Sequence, residues 1–253
     1  MSVLTILITG GSGNLGRELI RIYPASIHPT HTELDITNEK AVLEYVHKVD
    51  VNILIHCAAL TSIRRCEEDQ RTAYRANVEA TRNLVRSLSK FHPDCLFVYV
   101  STASVFYGDK GYYTELDIPY PKNFYNLTKL LGELVVTESG VAKYLVVRSN
   151  FAPRKKWPYA TAFTDRFATY LFADDLAPAI RNVIDQGLRG IVHVCGGEKL
   201  SMFAFAKITT PEILPMTMNE YAGPPLPIDM SLSSVKIPSF PLTRKTGEAT
   251  RPS

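Results

Sequence analysis

Three polar side chains carry the chemistry this sequence could perform: Thr102 in Ser101-Thr102-Ala103-Ser104, and Tyr125 and Lys129 in Tyr125-Asn126-Leu127-Thr128-Lys129. Positions i and i+4 share one face of a helix, so the phenol and the ammonium would stand side by side. A free phenol titrates near about 10 and is a poor acid or base at neutral pH, and a nearby cation favours its ionised form. Lys129 supplies that cation at the required spacing, and Thr102 can hydrogen-bond the same substrate oxygen. In a chain with thirteen tyrosines the Tyr-x-x-x-Lys spacing also arises by coincidence, and an exposed amphipathic pair is its ordinary reading. An upstream stretch changes that reading. The apolar run Val3-Leu4-Thr5-Ile6-Leu7-Ile8 breaks into Thr9-Gly10-Gly11-Ser12-Gly13-Asn14-Leu15-Gly16 and resumes as Arg17-Glu18-Leu19-Ile20. This is a strand, a glycine turn and a helix start, in which Gly11, Gly13 and Gly16 fit G-x-G-x-x-G and Gly10, Gly13 and Gly16 fit G-x-x-G-x-x-G. Glycines there let the backbone turn tightly against a pyrophosphate, which would sit on free helix N–H groups. Hydride carrier and proton donor would then share one edge of one sheet.

The elements that must hold these groups follow from apolar runs and their breakers. Val3 to Ile8 suits a parallel strand covered on both faces. The helix after the glycines spans about 14–23 before Pro24, a short second strand over 25–28 ends at Pro29, and Thr37 or Asn38 caps a helix over 39–49. Val51 to Cys57 is a third strand with Ala58-Ala59-Leu60-Thr61 as its exit, and apolar periodicity predicts one long helix over 68–91, stopped by Pro93. Cys95 to Val100 is a fourth strand, followed by a Gly- and Tyr-rich loop over 107–121, a helix from near Asn123 to Gly140 and a strand over 141–147. This alternation predicts an α/β fold with a doubly wound parallel sheet, whose ligands bind at the carboxyl ends of the strands. Beyond Arg148 the pattern loosens into a Pro- and aromatic-rich stretch over 150–164, a helix over 173–186, a strand over 190–195 and a short helix capped by Ser201. From Pro211 the chain carries eight prolines among loops, and its last residues, 244–253, are expected to fray.

With 253 residues, 45% hydrophobic and 21% charged, the chain can bury the core of one α/β domain or of a large domain with a small lobe. A net charge of +3, with only Arg154-Lys155-Lys156 clustered, gives no case for nucleic acid. No run of eighteen apolar residues and no charged leader is present, so no membrane span or signal peptide is predicted and a cytoplasmic protein is the default expectation. Cys57, Cys66, Cys95 and Cys195 lack C-x-x-C spacing, and Cys57, Cys95 and Cys195 sit in apolar contexts typical of buried free thiols. No metal site or disulfide is expected.

At these residues the chain resembles the extended short-chain dehydrogenase/reductases, and more narrowly the dTDP-4-dehydrorhamnose reductase group. The resemblance runs from Leu4 to about Gly197, with a weaker match at Asp229-Met230-Ser231-Leu232. Its specific parts are Gly111-Tyr112-Tyr113-Thr114-Glu115 and the ending Lys129-Leu130-Leu131-Gly132-Glu133; Leu34-Asp35-Ile36-Thr37, His56-Cys57-Ala58-Ala59 and Asn77 match as well. The resemblance implies a Rossmann domain over 1–150, with 170–197 packing back on it, and a small C-terminal substrate-binding lobe from 151–169 and 198–253. It implies Tyr125 as proton donor to the sugar C4 oxygen, Lys129 on the nicotinamide ribose and the phenol, and Thr102 on the substrate carbonyl. It further implies Ala58, Ala59 and Asn77 along the cofactor and Asp35-Ile36 facing the adenine. Substrate recognition is implied after the sixth strand, which makes Arg148, Asn150, Arg154 and Lys155 candidates for diphosphate or sugar contacts, beside Ala103 at the strand exit.

Two departures bear on the substrate. The group's usual Ser-Thr-Asp-Tyr-Val-Phe reads Ser101-Thr102-Ala103-Ser104-Val105-Phe106 here, removing a substrate-facing carboxylate, and 151–164 lacks the usual Thr-Ser-Trp. Asp35 lies nineteen residues after Gly16, about where an acidic residue would hold the NAD ribose. The second strand ends near His28 and Pro29, however, so Thr30, His31 and Thr32 face the ribose and NADP(H) is expected to bind at least as well as NAD(H). The expected activity is an NADP(H)-linked reduction of a nucleotide-bound 4-keto sugar. The alternatives are a same-fold epimerase or dehydratase that keeps NAD bound, and a non-catalytic nucleotide-binding regulatory subunit. A homodimer through the helices near 68–91 and 123–139 is a further expectation.

Overall fold

The computed structural model describes residues 4–244; the predicted strand residue Val3 and the fraying predicted for 245–253 lie outside the described residues. In chain order the elements are β1 (Ile6–Thr9), α1 (Asn14–Ile22), α2 (Glu39–Lys48), β2 (Ile53–His56), α3 (Ile63–Glu68), α4 (Gln70–Tyr74), a π-helical turn (Arg75–Glu79), α5 (Ala80–Phe91) and β3 (Leu96–Val100). They continue as α6 (Phe124–Thr137), β4 (Lys143–Arg148), β5 (Phe151–Ala152), β6 (Thr161–Phe163), β7 (Phe167–Ala168), β8 (Leu171–Phe172), α7 (Ala173–Asp185), β9 (Gly190–His193), β10 (Leu200–Ser201), α8 (Met202–Lys207) and β11 (Leu214–Met216). β1, β2, β3, β4 and β9 form one parallel sheet in that order.

Side chains alternate across a strand, and the sheet strands are apolar on both faces. Ile6, Ile8, Ile55 and Val98 pack with Leu15 and Leu19 of α1 and with Leu176 and Ile180 of α7. Leu7, Leu54, Phe97 and Val146 face the other way, onto Val42 and Val46 of α2 and Leu84 and Leu88 of α5. Helices therefore cover both faces, as doubly wound folds require. Ile27 pairs with Leu7 on the outer side of β1 while β2 pairs on its inner side. The strand order thus reverses at β1, which opens the crevice beside the glycine turn.

Two sequence expectations are corrected. The predicted strand over 25–28 is a single bridge, because Pro24 and Pro29 leave room for only one pair of bonds, Ile8 N–H to Ile27 O and Ile27 N–H to Ile6 O, both 2.8 Å. The predicted helix over 68–91 is broken. Asp69 accepts from Thr72 N–H at 2.9 Å and restarts the chain as α4, and the π turn follows before α5. Apolar periodicity does not register one added residue in a turn. Asn38, Asn123 and Ser201 cap α2, α6 and α8 through their side chains.

Beyond β4, three two-stranded pairings, β5 with β8, β6 with β11 and β7 with β10, replace the predicted loose stretch. A third core of Phe106, Tyr113, Tyr170, Phe172, Phe205, Met230 and Leu232 ties them beneath the turn that follows β3. Among the described residues no helix is long and apolar enough to cross a membrane, and no group of three metal-ligating side chains occurs. All four cysteines are free; Cys66, Cys95 and Cys195 are buried, whereas Cys57 is only half-buried.

Candidate active site

The glycine turn is shaped by contact as much as by conformation. Gly10 has φ +77°, and a Cβ there would stand 2.5 Å from Ala58 N, while one at Gly16 would strike the Gly10 carbonyl. Gly13 precedes α1 with extended backbone and no side chain to cap it, so the first N–H groups of α1 stay free. Free N–H groups and the positive end of the helix dipole suit a phosphate. The turn walls two adjoining cavities that share Gly10, Gly13, Cys57 and Ala59. One, of about 260 Å³, is lined by Gly11, Ser12, Thr30, His31, Ile36 and Ala58. The other, of about 360 Å³, is lined by Asn14, Leu15, Gly16, Thr102, Tyr125 and Asn150. A dinucleotide has the length and the polar middle for such a pair of chambers, and the uncapped helix lies between them.

Tyr125 enters the larger cavity from the first turn of α6, and Thr102 from the exit of β3. Thr102 Oγ1 accepts from Ser104 N–H at 3.1 Å, which fixes its rotamer and leaves its own hydrogen free to donate. Burial holds the Tyr125 phenol above its ordinary value, with Cys66 adding to the effect. The expected direct influence of Lys129 on the phenol is not what this arrangement provides. The Lys129 ammonium donates one of its hydrogens to Val100 O at 2.9 Å and lies 4.1 Å from the centre of the Tyr99 ring, so it is anchored to the end of β3. Burial brings Lys129 down to about 8, with Glu133 and Cys57 pulling it back up.

Several expected contacts are corrected. The Asp35 carboxylate is turned from the cofactor cavity to Thr37, accepting its N–H at 2.9 Å and its hydroxyl at 2.8 Å; Ile36 alone of that pair lines the cavity. Thr30 gives both its N–H, at 2.7 Å, and its hydroxyl, at 2.8 Å, to Glu33, so the donors expected of Thr30 are taken, whereas His31 lines the cavity. Asn77 lines neither cavity. Its amide clamps the exit loop of β2, accepting from Leu60 N–H at 2.7 Å and donating to Leu60 O at 3.0 Å and Thr128 Oγ1 at 2.9 Å. Ala103 is fully buried and gives its N–H to Ser149 O, so its methyl does not face a substrate. Arg148 is 3% exposed and forked onto Glu133, with Nη2 2.6 Å and Nε 3.0 Å from the carboxylate. Arg154 is held by Asp174 at 2.6 Å, Asp175 at 3.2 Å and Thr243 O, which ties it to the start of α7. Lys155 is exposed and outside both cavities. Asn150 does line the larger cavity, and its amide donates to Met230 O at 3.0 Å.

From the sequence, Glu133 stands within a matching motif but without a role, and Ser149 and Phe151 go unflagged. Glu133 follows Lys129 by four residues on α6, a spacing that could have flagged it, and its carboxylate accepts from Ser101 beside Thr102. Lys129 and Glu133 thus grip the backbone of Val100 and the side chain of Ser101, fixing Thr102 against α6. Ser149 and Phe151 line the cavity from the exit of β4 with no motif to announce them.

The profile of one family, described as the RmlD substrate binding domain, matches residues 4–225. Methionine adenosyltransferase 2 subunit beta of Rattus norvegicus is 24% identical over 95% of this chain and 84% of its own length. The dTDP-4-dehydrorhamnose reductase of Mycolicibacterium smegmatis is 28% identical over 81% of this chain and 68% of its own. Among solved structures, the dTDP-4-dehydrorhamnose reductase of Bacillus anthracis in complex with NADP superposes with a TM-score of 0.82 at 27% identity, covering 91% of this chain and 90% of that one.

Proposed function

We propose, from the premise that the chain belongs to the RmlD substrate binding domain family, that it is an NADPH-dependent reductase of a nucleotide-linked 4-keto sugar. The observation that carries the reading is one cavity in which Tyr125 and Thr102 face the uncapped start of α1. The residues present fit a dinucleotide: the N–H groups of α1 take the pyrophosphate, and Ala58, Ala59 and Ile36 border the adenosine side. When bound, NADPH supplies the hydride. Thr102 donates to the ketone oxygen and orients it. Tyr125, kept protonated by burial, delivers the proton as the oxygen becomes an alcohol. Lys129, charged below about 8, offers its ammonium to the ribose hydroxyls beside β3. The segments 151–169 and 198–244 form the wall against which the sugar nucleotide lies, supported by Asn150 and Phe151 at the cavity edge.

Tyr125→Phe removes one hydroxyl and keeps the ring. The expected result is a fall in turnover of about 10² to 10⁴-fold with NADPH affinity unchanged, followed by nicotinamide absorbance with a 4-keto sugar nucleotide. Full activity in Tyr125→Phe would overturn the assignment. A second reading is favoured by one observation, the similarity over 95% of the chain to a protein named as a subunit of another enzyme. In that reading the cavity binds NADPH without turnover, and tight binding with no oxidation on any 4-keto sugar would select it.

The setting of this reaction is the cytoplasm, and the working form is a homodimer through α4, α5 and α6. Leu127 and Leu134, 36% and 47% exposed on α6, support such a contact. A monomeric mass by light scattering at micromolar concentration would remove the dimer from the reading.

A further inference from the structure

The first turn of α6, from which Tyr125 enters the reaction cavity, is held by more than its own cap. The opening N–H groups of a helix have no partner within it. Asn123 takes one of them, its Oδ1 accepting from Asn126 N–H at 2.9 Å. The N–H of Phe124, the residue before Tyr125, goes elsewhere: it donates to Glu67 Oε1 at 2.7 Å, across 57 positions of the chain. Glu67 is half-buried on α3, and among the described residues its carboxylate makes no other hydrogen bond and meets no cation. A carboxylate at a helix start is favoured by the helix dipole as well as by the hydrogen bond itself. Asn123 also donates through Nδ2 to Pro225 O at 2.9 Å, so the same turn is tied to the C-terminal segment as well.

Glu67 belongs to the element that leaves the cofactor wall. Ala59 and Thr61 line the larger cavity, and Ala58 the smaller one. Ser62 then caps α3 by accepting from Arg65 N–H at 3.4 Å, and the fully buried Cys66 thiol turns back to donate to Leu60 O at 3.4 Å. α3 is therefore fastened to the loop it leaves, and one helix of six residues and one hydrogen bond separate that loop from the turn that carries Tyr125. Asn77 joins the same loop to α6 further along, at Thr128; Glu67 joins it at the start of the helix. We propose that Glu67 is a positioning residue for Tyr125, and that through it a cofactor seated against Ala58 and Ala59 steadies the first turn of α6. Placement of this kind matters because a shift of about 1 Å in a reacting group can cost about 10²-fold in rate. This rests on the NADPH-dependent reading above, and its first test needs no turnover.

The probe is adenosine 2′,5′-bisphosphate, which fills the adenosine side up to the first phosphate and carries no nicotinamide or second ribose to touch Tyr125 or Lys129. Hydrogen exchange, read by mass spectrometry on peptides covering 58–62 and 123–127, should show both segments slowed by saturating fragment in the wild type. In Glu67→Ala only 58–62 should be slowed. In Glu67→Gln, whose amide oxygen still accepts from Phe124 N–H, both should be slowed again. With NADPH and a 4-keto sugar nucleotide, Glu67→Ala should lower kcat by about tenfold to 10²-fold while KM for NADPH stays the same, and Glu67→Gln should restore kcat. If Glu67→Ala does not fold, Phe124→Pro removes the same bond from the donor side. Proline suits the first helical position, and Asn123 already has the extended backbone required before it, φ −142° and ψ 170°. Slowing of 123–127 that persists in Glu67→Ala or Phe124→Pro, or a loss of turnover in Glu67→Gln equal to that in Glu67→Ala, overturns the coupling. Slowing of 58–62 without 123–127 in the wild type overturns it too and leaves the cofactor reading standing, whereas no slowing of either segment removes both. Absence of turnover in the wild type would count against the reductase and leave the exchange result to decide the coupling.

Discussion

Lys129 is the residue on which the chemistry of the site turns. Its ammonium faces Val100 O and the Tyr99 ring from β3, His56 and Cys57 at the end of β2, and Glu133 on its own helix. Burial is the largest influence and brings it to about 8, so it is charged below that pH and a neutral amine above. If the ammonium serves the ribose, NADPH affinity should decline as pH rises through about 8 and should be flat over that range in Lys129→Met; fluorescence titration from mildly acidic to alkaline pH reads this. The stability sign is opposite. A lysine whose folded value is depressed penalises the fold while charged, so wild-type stability relative to Lys129→Met should rise with pH between about 8 and the ordinary lysine value. His56 needs no such adjustment. Burial pushes it to about 3, and it stays neutral between Thr9 and Thr81, at 2.7 and 3.1 Å.

The π turn between α4 and α5 is the element that shapes the cofactor wall. It presents Asn77 to Leu60, whose N–H and C=O are satisfied by that one side chain, and so holds the loop that carries Ala58 and Ala59. Asn77→Ala leaves Leu60 N–H without its partner and Leu60 O with only the Cys66 thiol. We expect a loss of about 1 to 3 kcal/mol in denaturant unfolding together with weaker NADPH binding, because the loop would no longer be fixed. Wild-type NADPH affinity in a destabilised Asn77→Ala would show that the clamp has no bearing on the cavity. The glycine turn depends on the same loop from the other side, where Gly10 packs against Ala58.

Across the whole molecule, one carboxylate joins the sheet to the chain's return over 231–237. Glu115 accepts from His193 N–H at 2.8 Å on β9, from the Ser234 hydroxyl and from Val235 N–H at 3.0 Å. Burial works against its charge, but the bonds from Ser234, His193 and Val235 win and hold it below the ordinary glutamate range. A depressed carboxylate adds stability above its unfolded value that is lost as pH falls through the folded one. Thermal midpoints measured from neutral pH downward should therefore fall more steeply in wild type than in Glu115→Gln, and parallel curves would contradict the role. His193 connects this joint to the catalytic face, its Nδ1 3.0 Å from Tyr113 O and 2.9 Å from Ser233 O, its ring beside Arg148.

The sequence by itself determined the fold class, the parallel strands and the places where chemistry could gather, because each rests on local pattern. Apolar runs set the sheet, glycines set the turn after β1, and the Tyr125/Lys129 spacing set one helix face. Tertiary structure decided which polar groups remain available. Arg148, Arg154 and Asp35 have the right types in the right region, yet Glu133, Asp174, Asp175 and Thr37 take them. Arg166 lies in a stretch without a motif and, among the described residues, meets no carboxylate. Partners of that kind are separated by fifteen to twenty-one residues for the arginines, as in Glu133–Arg148 and Arg154–Asp175. Nothing in local periodicity reports which charge will meet which across a folded chain. That is settled by packing, where a buried charge must be matched wherever its partner happens to lie.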